Sequence, residues 1–178
     1  AGCVVAAIQA RVTTEGELND RLASGLNKSE ALWLDTGGHL RWLAQSFPDE
    51  ALEVTVDKQG GRNAYLPALN RLFPGFWIDT VCEGADRSEY VLRRDGAPLR
   101  VRFCPRADAE SFCTALASML AKFLRERFMA DLNVFFSARG PGVAPRAGYA
   151  AEAPRFIAAV LPVLAEMGIA EERLVRQR

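Results

Sequence analysis

The residues best suited to chemistry lie in the run VDKQGGR at positions 56–62. Asp57 follows an alternating apolar stretch that predicts a strand over 51–57, and two glycines then lead into a predicted helix. Because ligands of α/β proteins favour the carboxyl ends of strands, Asp57 is a candidate metal-binding or catalytic carboxylate. The alternative is structural, with Asp57 starting a turn for which the glycines supply positive φ. The spacing does not match a phosphate-binding P-loop.

A second acidic pair, Asp108 and Glu110, precedes a long predicted helix. The N-terminus of a helix stabilises negative charge, so carboxylates placed there can serve a site. The alternative is ordinary helix capping, which places acidic residues in many first turns.

The surrounding pattern predicts the elements that position these side chains. Thr13 or Thr14 caps the first helix, Asn27 or Ser29 caps the second, and Gly37-Gly38 weaken the second. Asp95-Gly96 is a hairpin turn signal. The order is typical of an α/β protein, as one domain over 1–178 with a helical part from about 110. In full, strands are predicted at 3–12, 51–57, 76–82, 89–94 and 99–104, and helices at 15–22, from 27 or 29 onward, 62–73, about 112–136 and about 152–167.

Composition is that of an ordinary globular protein, with 49% hydrophobic and 25% charged residues. Because 22 basic residues balance 22 acidic ones, nucleic-acid binding would need a local basic patch. The alternative for such a patch is a solvated helix face and a charged terminus. Its candidate members are Lys122, Arg125, Arg127, Arg139, Arg146, Arg173, Arg176 and Arg178.

Four scattered cysteines, no C-x-x-C pair and a single histidine argue against a structural zinc site. We expect free thiols in a cytoplasmic protein. The apolar segment at positions 1–10 is too short to span a bilayer. We interpret it as a strand from the middle of a domain. The tryptophans at 33, 42 and 77 lie in apolar stretches, which favours core packing over stacking on bases. Glu83 and Glu89 are expected to be exposed turn residues, the alternative being that they support a site from near the strand ends.

Residues 114–129, TALASMLAKFLRERFM, and 147–150, AGYA, resemble motifs of the type 2 ribonuclease H family (ribonuclease HII). That family carries a helix of the form A-A-S-x-x-A-K-x-x-R-[DE]-R-x-M, and a G-Y pair opens its next helix. A divergent bacterial branch also has a D-K-x-G-G-R-N-x-Y run, which is present at 57–65. The resemblance implies a ribonuclease H-like mixed sheet flanked by helices.

The resemblance also implies a set of catalytic metal ligands. Asp57 takes the place of an aspartate that ends a strand in the family, although Lys58 stands where glycine is usual. Counting residues back from Ser118 selects Asp108 as the next ligand. Aligning the residues around 110–112 with the family's sequence selects Glu110 instead, and both remain candidates. The implied cofactor is Mg²⁺ or Mn²⁺, since hard ions prefer oxygen ligands.

Substrate-binding residues follow from the same resemblance. Tyr149 would pack on the sugar at an RNA–DNA junction, where the 2′-hydroxyl distinguishes RNA. Lys122 and Arg125 would face backbone phosphates, and Lys58 and Arg62 are further substrate-binding candidates.

The implied function is endonucleolytic hydrolysis of RNA in an RNA–DNA hybrid, or at a ribonucleotide embedded in duplex DNA, by metal-assisted attack of water. The family's D-E-A-G motif occurs nowhere in these 178 residues. We therefore expect a chain without the N-terminal strand that carries two ligands, and little or no activity from it alone. The alternative is a non-catalytic relative that binds nucleic acid or protein. An unrelated small-molecule enzyme that binds phosphate at the Asp57 loop ranks third.

Overall fold

The computed structural model describes residue 2 and residues 4–140 and 153–177. Within them the helices are α1 (Glu15–Ala23), α2 (Lys28–Ser46), α3 (Leu66–Leu72), α4 (Ala107–Glu110), α5 (Phe112–Ser137) and α6 (Ala153–Glu166), followed by a 3₁₀ turn at Glu171–Arg173. The strands are β1 (Leu52–Asp57), β2 (Trp77–Cys82), β3 (Ser88–Arg93) and β4 (Leu99–Cys104). No described helix has the length and apolar character needed to cross a membrane.

The first two helices begin at side-chain caps. Thr14 accepts a hydrogen bond from the Glu17 amide through its hydroxyl. Asn27 and Glu30 form a reciprocal capping box at the start of α2, which satisfies two amide groups that the helix leaves unpaired. The helix α2 continues through Gly37 and Gly38 without a break.

The strands form a mixed sheet in the order β1-β4-β3-β2, flanked by helices, so the α/β prediction is confirmed. β1 runs parallel to β4, while β3 is antiparallel to both of its neighbours. The predicted hairpin of β3 and β4 is present. Asp57 and Cys104 are register partners, so β1 and β4 end side by side.

By their contacts, residues of the chain divide into two compact units. The first, Ala1–Gln9 with Asn27–Ser118, contains the sheet and a core in which α2 and α3 pack on one sheet face. Tyr65, Tyr90 and Phe103 are fully buried there. The prediction of a single domain over 1–178 stays a prediction.

The second unit, Ala10–Leu26 with Met119–Arg178, is helical in its described residues. Its core is built around Phe136 of α5 and Val160 and Leu164 of α6. Asn19 of α1 holds the C-terminal segment, because its side-chain amide donates to the carbonyls of Glu172 and Val175 at 2.7 and 2.8 Å.

The predicted strand over 3–12 is wrong in its described part, because residues 4–12 form no strand. Val4 is 90% exposed, and the segment pairs with none of the four strands. Strand propensity reports the fit of a side chain to a paired, half-buried surface, so Val and Ile without a partner strand do not make one.

The helix predicted over 62–73 is shorter, since α3 begins only at Leu66. Pro67 lies in its first turn. A helix that began earlier would place the ring of Pro67 against the carbonyl of Asn63 and would remove a hydrogen bond. The position of this proline was the missed signal.

Two side chains lie in environments opposite to those predicted. Trp77 is 72% exposed, because β2 is an edge strand and its outward face is uncovered. Glu89 is 3% exposed and lies within β3. Trp33, in contrast, packs against the first core as expected.

Candidate functional site

An open pocket of about 370 Å³ lies at the edge of the sheet where β1 and β4 end. Three chain segments meet there because β1 and β4 are parallel and the β2–β3 connection lies at the same edge. Polar and small residues from all three segments line the pocket: Asp57, Lys58, Gly60, Gly61, Asn63, Ala85, Pro105 and Arg106. Asp57 therefore lies where its position in the sequence predicted, at a strand end that faces an open site.

Lys58 holds two of these segments together. Its ammonium donates to Oδ1 of Asn63 at 2.8 Å and to the carbonyl of Gly84. The hydroxyl of Ser88 adds a hydrogen bond to the carbonyl of Asn63. Lys58 thus connects the loop after β1 to the loop before β3, and these contacts give it a structural role beside the predicted substrate-binding one.

Asp57 is bonded to the segment that carries the second acidic pair. Its Oδ1 accepts a hydrogen bond of 3.2 Å from the backbone amide of Ala107, the first residue of α4. Arg106, just before, has left-handed backbone angles of φ 53° and ψ 44°. A residue with a Cβ rarely adopts this conformation, so the turn that presents the Ala107 amide to Asp57 carries backbone strain.

Cys104 ends β4 as the register partner of Asp57. Burial raises the pKa of its thiol, and the charges of Glu110 and Asp57 act in the same direction. Glu110 and Asp108 are both exposed on the short helix α4.

Two buried tyrosines position the loop after Asp57. The hydroxyl of Tyr65 accepts a hydrogen bond from the Gln59 amide at 3.1 Å, and the Tyr65 amide donates to the hydroxyl of Tyr90 at 2.8 Å. Tyr65 also stacks on Phe103, with ring centroids 3.8 Å apart. Burial raises the pKa of both phenols, so they stay neutral. Sequence reasoning did not identify this pair.

The other predicted substrate-binding residues differ in their surroundings. The guanidinium of Arg62 lies over the rings of Trp33 and Tyr65, at 5.9 and 5.6 Å from their centroids. Lys122 and Arg125 are exposed on the part of α5 that belongs to the second unit. Tyr149 lies outside the described residues.

The carboxylates fit a divalent ion only in part. Asp57 and Glu110 offer the oxygen atoms that magnesium prefers. Among the described residues, however, no group of three or more His, Cys, Asp or Glu side chains is arranged to hold a metal ion. The described residues alone therefore do not form a complete metal site.

A second polar cluster lies on β3 and β4, on the sheet face opposite the first core. Glu89 contacts the guanidinium groups of Arg87, Arg100 and Arg102. The sequence signal was the alternation of Arg100 and Arg102 with buried Val101 and Phe103, which places both arginines on one face of β4. Opposite charges across adjacent strands stabilise a sheet.

Compared with known proteins, this chain has no matching family model, curated protein or solved structure.

Proposed function

We propose that this chain carries part of the active site of a metal-dependent endonuclease with a ribonuclease H-like fold. Its substrate would be RNA in an RNA–DNA hybrid, or a ribonucleotide embedded in duplex DNA. One observation carries the proposal: Asp57, at the end of β1, accepts a hydrogen bond from Ala107, the first residue of the short helix that carries both Asp108 and Glu110. The bond spans 50 positions of sequence, so this arrangement is a property of the fold.

The pocket beside Asp57 is the proposed binding site for the phosphodiester. It is open, and the polar side chains of Asp57, Lys58, Asn63 and Arg106 are among its lining, which suits the approach of a phosphodiester. Bound Mg²⁺ or Mn²⁺ would supply an activated water and stabilise the leaving oxygen. The chain's own contribution is to hold Asp57 through the Ala107 amide, which begins the short helix that carries Asp108 and Glu110. Because two carboxylates make a weak site, we expect little cleavage by the 178 residues alone.

The second candidate is a binding protein of the same fold that does not cut. One observation favours it, namely that fewer than three potential metal ligands come together in the described part. Such a protein would retain affinity for nucleic acid or protein without any dependence on divalent metal.

Manganese binding tests the site without requiring activity. In a two-dimensional ¹H–¹⁵N spectrum, paramagnetic Mn²⁺ should broaden amide signals around 57–61 and 104–110 before others. Asp57→Asn and Glu110→Gln should each weaken this effect, whereas Asp108→Asn is the matched control on the same short helix. If Asp108→Asn weakens it instead of Glu110→Gln, Asp108 is the ligand. Broadening with no preference for these residues would contradict the metal site.

Hybrid binding and cleavage separate the two candidates. The chain is mixed with a duplex that contains one ribonucleotide, with Mn²⁺ or with chelator. Slow, Mn²⁺-dependent cleavage at the ribonucleotide, abolished by Asp57→Asn, would support the endonuclease. Tight binding that is the same with chelator and in Asp57→Asn, without cleavage or selective manganese binding, would support the binding protein.

A further inference from the structure

The charge cluster around Glu89 lies on the sheet face opposite the first core. Glu89 is 3% exposed, and its Oε2 lies 3.3 Å from Nε of Arg102 and 3.5 Å from Nε of Arg87. Its Oε1 bonds to Arg100. A buried carboxylate with charged hydrogen-bond donors on both oxygens holds the guanidinium groups in fixed orientations.

One carboxylate cannot neutralise three guanidinium groups. The Arg87, Arg100 and Arg102 side chains are 53%, 41% and 34% exposed, so part of each reaches solvent. Each guanidinium has five N–H donors, more than its contact with Glu89 uses. Glu53 lies 4.0 Å from Arg100, and the charge of Glu110 also acts on Arg87, so the face offers unused N–H donors rather than a large net positive charge.

The same sheet face continues toward an exposed aromatic ring. Arg100 and Arg102 are two positions apart on β4, a distance of about 6.8 Å along a strand. On β2 and β3, Trp77 and Arg93 both contact Asp79, and Trp77 is 72% exposed. Guanidinium groups and an open indole on one sheet face suit a chain of phosphates and bases better than an isolated phosphate ion.

We propose that Arg87, Arg100 and Arg102, here named the arginine face, bind the phosphodiester backbone of a nucleic acid, with Glu89 as the residue that positions them. The proposal extends the proposed function, because the nucleic acid would be the hybrid duplex that the Asp57 site acts on. The contacts are to phosphate, so they strengthen binding without sequence preference and weaken with added salt.

Arg87→Ala is the primary test, because Arg87 is the most exposed of the three and has the longest of their contacts with Glu89. Arg11→Ala is the matched control, since Arg11 is 51% exposed, is also paired with an acid, Glu17, and belongs to none of the predicted binding surfaces. A fluorescently labelled RNA–DNA hybrid is titrated with each protein in chelator at several salt concentrations. Arg87→Ala should lower the slope of log affinity against log salt by about 1. Arg11→Ala should leave the slope unchanged.

Glu89→Gln tests positioning separately from charge. The substitution adds one unit of positive charge to the face and removes the carboxylate that orients the arginines. Weaker hybrid binding despite the added charge, in a variant whose circular dichroism spectrum is that of the parent, would support a positioning role, and Glu89→Asp should restore part of the affinity. Tighter binding by Glu89→Gln would overturn that role.

The outcomes also separate this proposal from the nuclease. If the parent binds the hybrid and Arg87→Ala leaves the salt slope unchanged, the proposed role of the arginine face is contradicted, and the proposed Asp57 site is unaffected. If manganese shows no preference for Asp57 and Glu110 but Arg87→Ala still lowers the salt slope, the proposed nuclease function is contradicted, and the proposed role of the arginine face is supported. A parent that binds no hybrid at low salt overturns the arginine face.

Discussion

Asp57 and Ala107 are joined by a hydrogen bond from the Ala107 amide to Oδ1 of Asp57, at 3.2 Å across 50 positions of sequence. The bond fixes the end of β1 to the start of α4, which carries Glu110. It depends on the left-handed conformation of Arg106, the residue that turns the chain before Ala107. Local strain at Arg106 therefore accompanies the geometry of the candidate site, as is common for strained residues at functional sites.

Arg106→Gly should stabilise the fold. Glycine adopts left-handed angles without the Cβ clash, so the free energy of unfolding should rise by about 1 kcal/mol from this effect. The greater conformational entropy of glycine in the unfolded chain offsets part of that gain. Urea denaturation monitored by circular dichroism measures the change. Arg106→Ala is the control, because it removes the same side chain and keeps the Cβ. A gain of equal size in Arg106→Ala would show that the guanidinium, and not the backbone, is responsible.

Tyr90→Phe should destabilise the first unit. The Tyr90 hydroxyl accepts from the buried Tyr65 amide at 2.8 Å and donates to Glu83, so its removal leaves that amide unpaired. An unsatisfied buried donor costs about 1–3 kcal/mol. Thermal or urea unfolding measures the loss. Trp77→Phe is the matched control, since it removes a ring-to-carboxylate hydrogen bond at an exposed site and should cost less than about 0.5 kcal/mol.

Local pattern was sufficient to predict the elements that hold the candidate site. The alternation of 51–57 predicts β1, the Asp95-Gly96 turn signal predicts the β3–β4 hairpin, and Asn27, one of the two predicted caps, is the residue that caps α2. Each signal lies within a few residues of the feature it predicts. Asp57 was identifiable for the same reason, because a strand end followed by glycines is a local property.

Features that depend on distant partners could not be predicted. Glu89 is buried because Arg100 and Arg102 lie across the strand pair, and its own neighbours in sequence do not reveal this. Trp77 is exposed because β2 is an edge strand, which is a property of the strand order. The apolar residues of 4–12 form no strand because a strand needs a paired neighbour, which periodicity alone does not provide.

The adjacent glycines of α2 should respond differently to alanine. A Cβ at Gly38 would meet nothing within 4 Å, so Gly38→Ala should stabilise the helix by about 0.5–1 kcal/mol. A Cβ at Gly37 would lie 3.0 Å from Cδ1 of Leu72 in the core. Gly37→Ala should therefore gain less or lose stability, because Leu72 must move. Parallel urea titrations of the two variants make the comparison. Equal gains in the free energy of unfolding of the two variants would show that Leu72 moves without loss of stability.

Acid should weaken the fold through Glu89. Burial raises the pKa of this carboxyl, but its hydrogen bonds with Arg100 and Arg102 outweigh that effect and hold the pKa below its ordinary value of 4.5. Because the folded state binds the proton less readily than the unfolded state, the stabilisation is fully present above the ordinary pKa and is lost as the pH falls through the folded value. The free energy of unfolding should therefore decline as the pH drops below about 4.5.

Urea midpoints measured from pH 7 to pH 2 for the parent and Glu89→Gln isolate this contribution. The variant should be less stable at pH 7, because the glutamine amide cannot replace a carboxylate between three guanidinium groups. The difference should narrow below pH 4.5, where the parent begins to lose the same charge. Glu53→Gln, which alters an exposed carboxylate 4.0 Å from Arg100, should follow the parent curve. A difference between parent and Glu89→Gln that stays constant down to pH 2 would show that shape, and not ionisation, makes Glu89 stabilising.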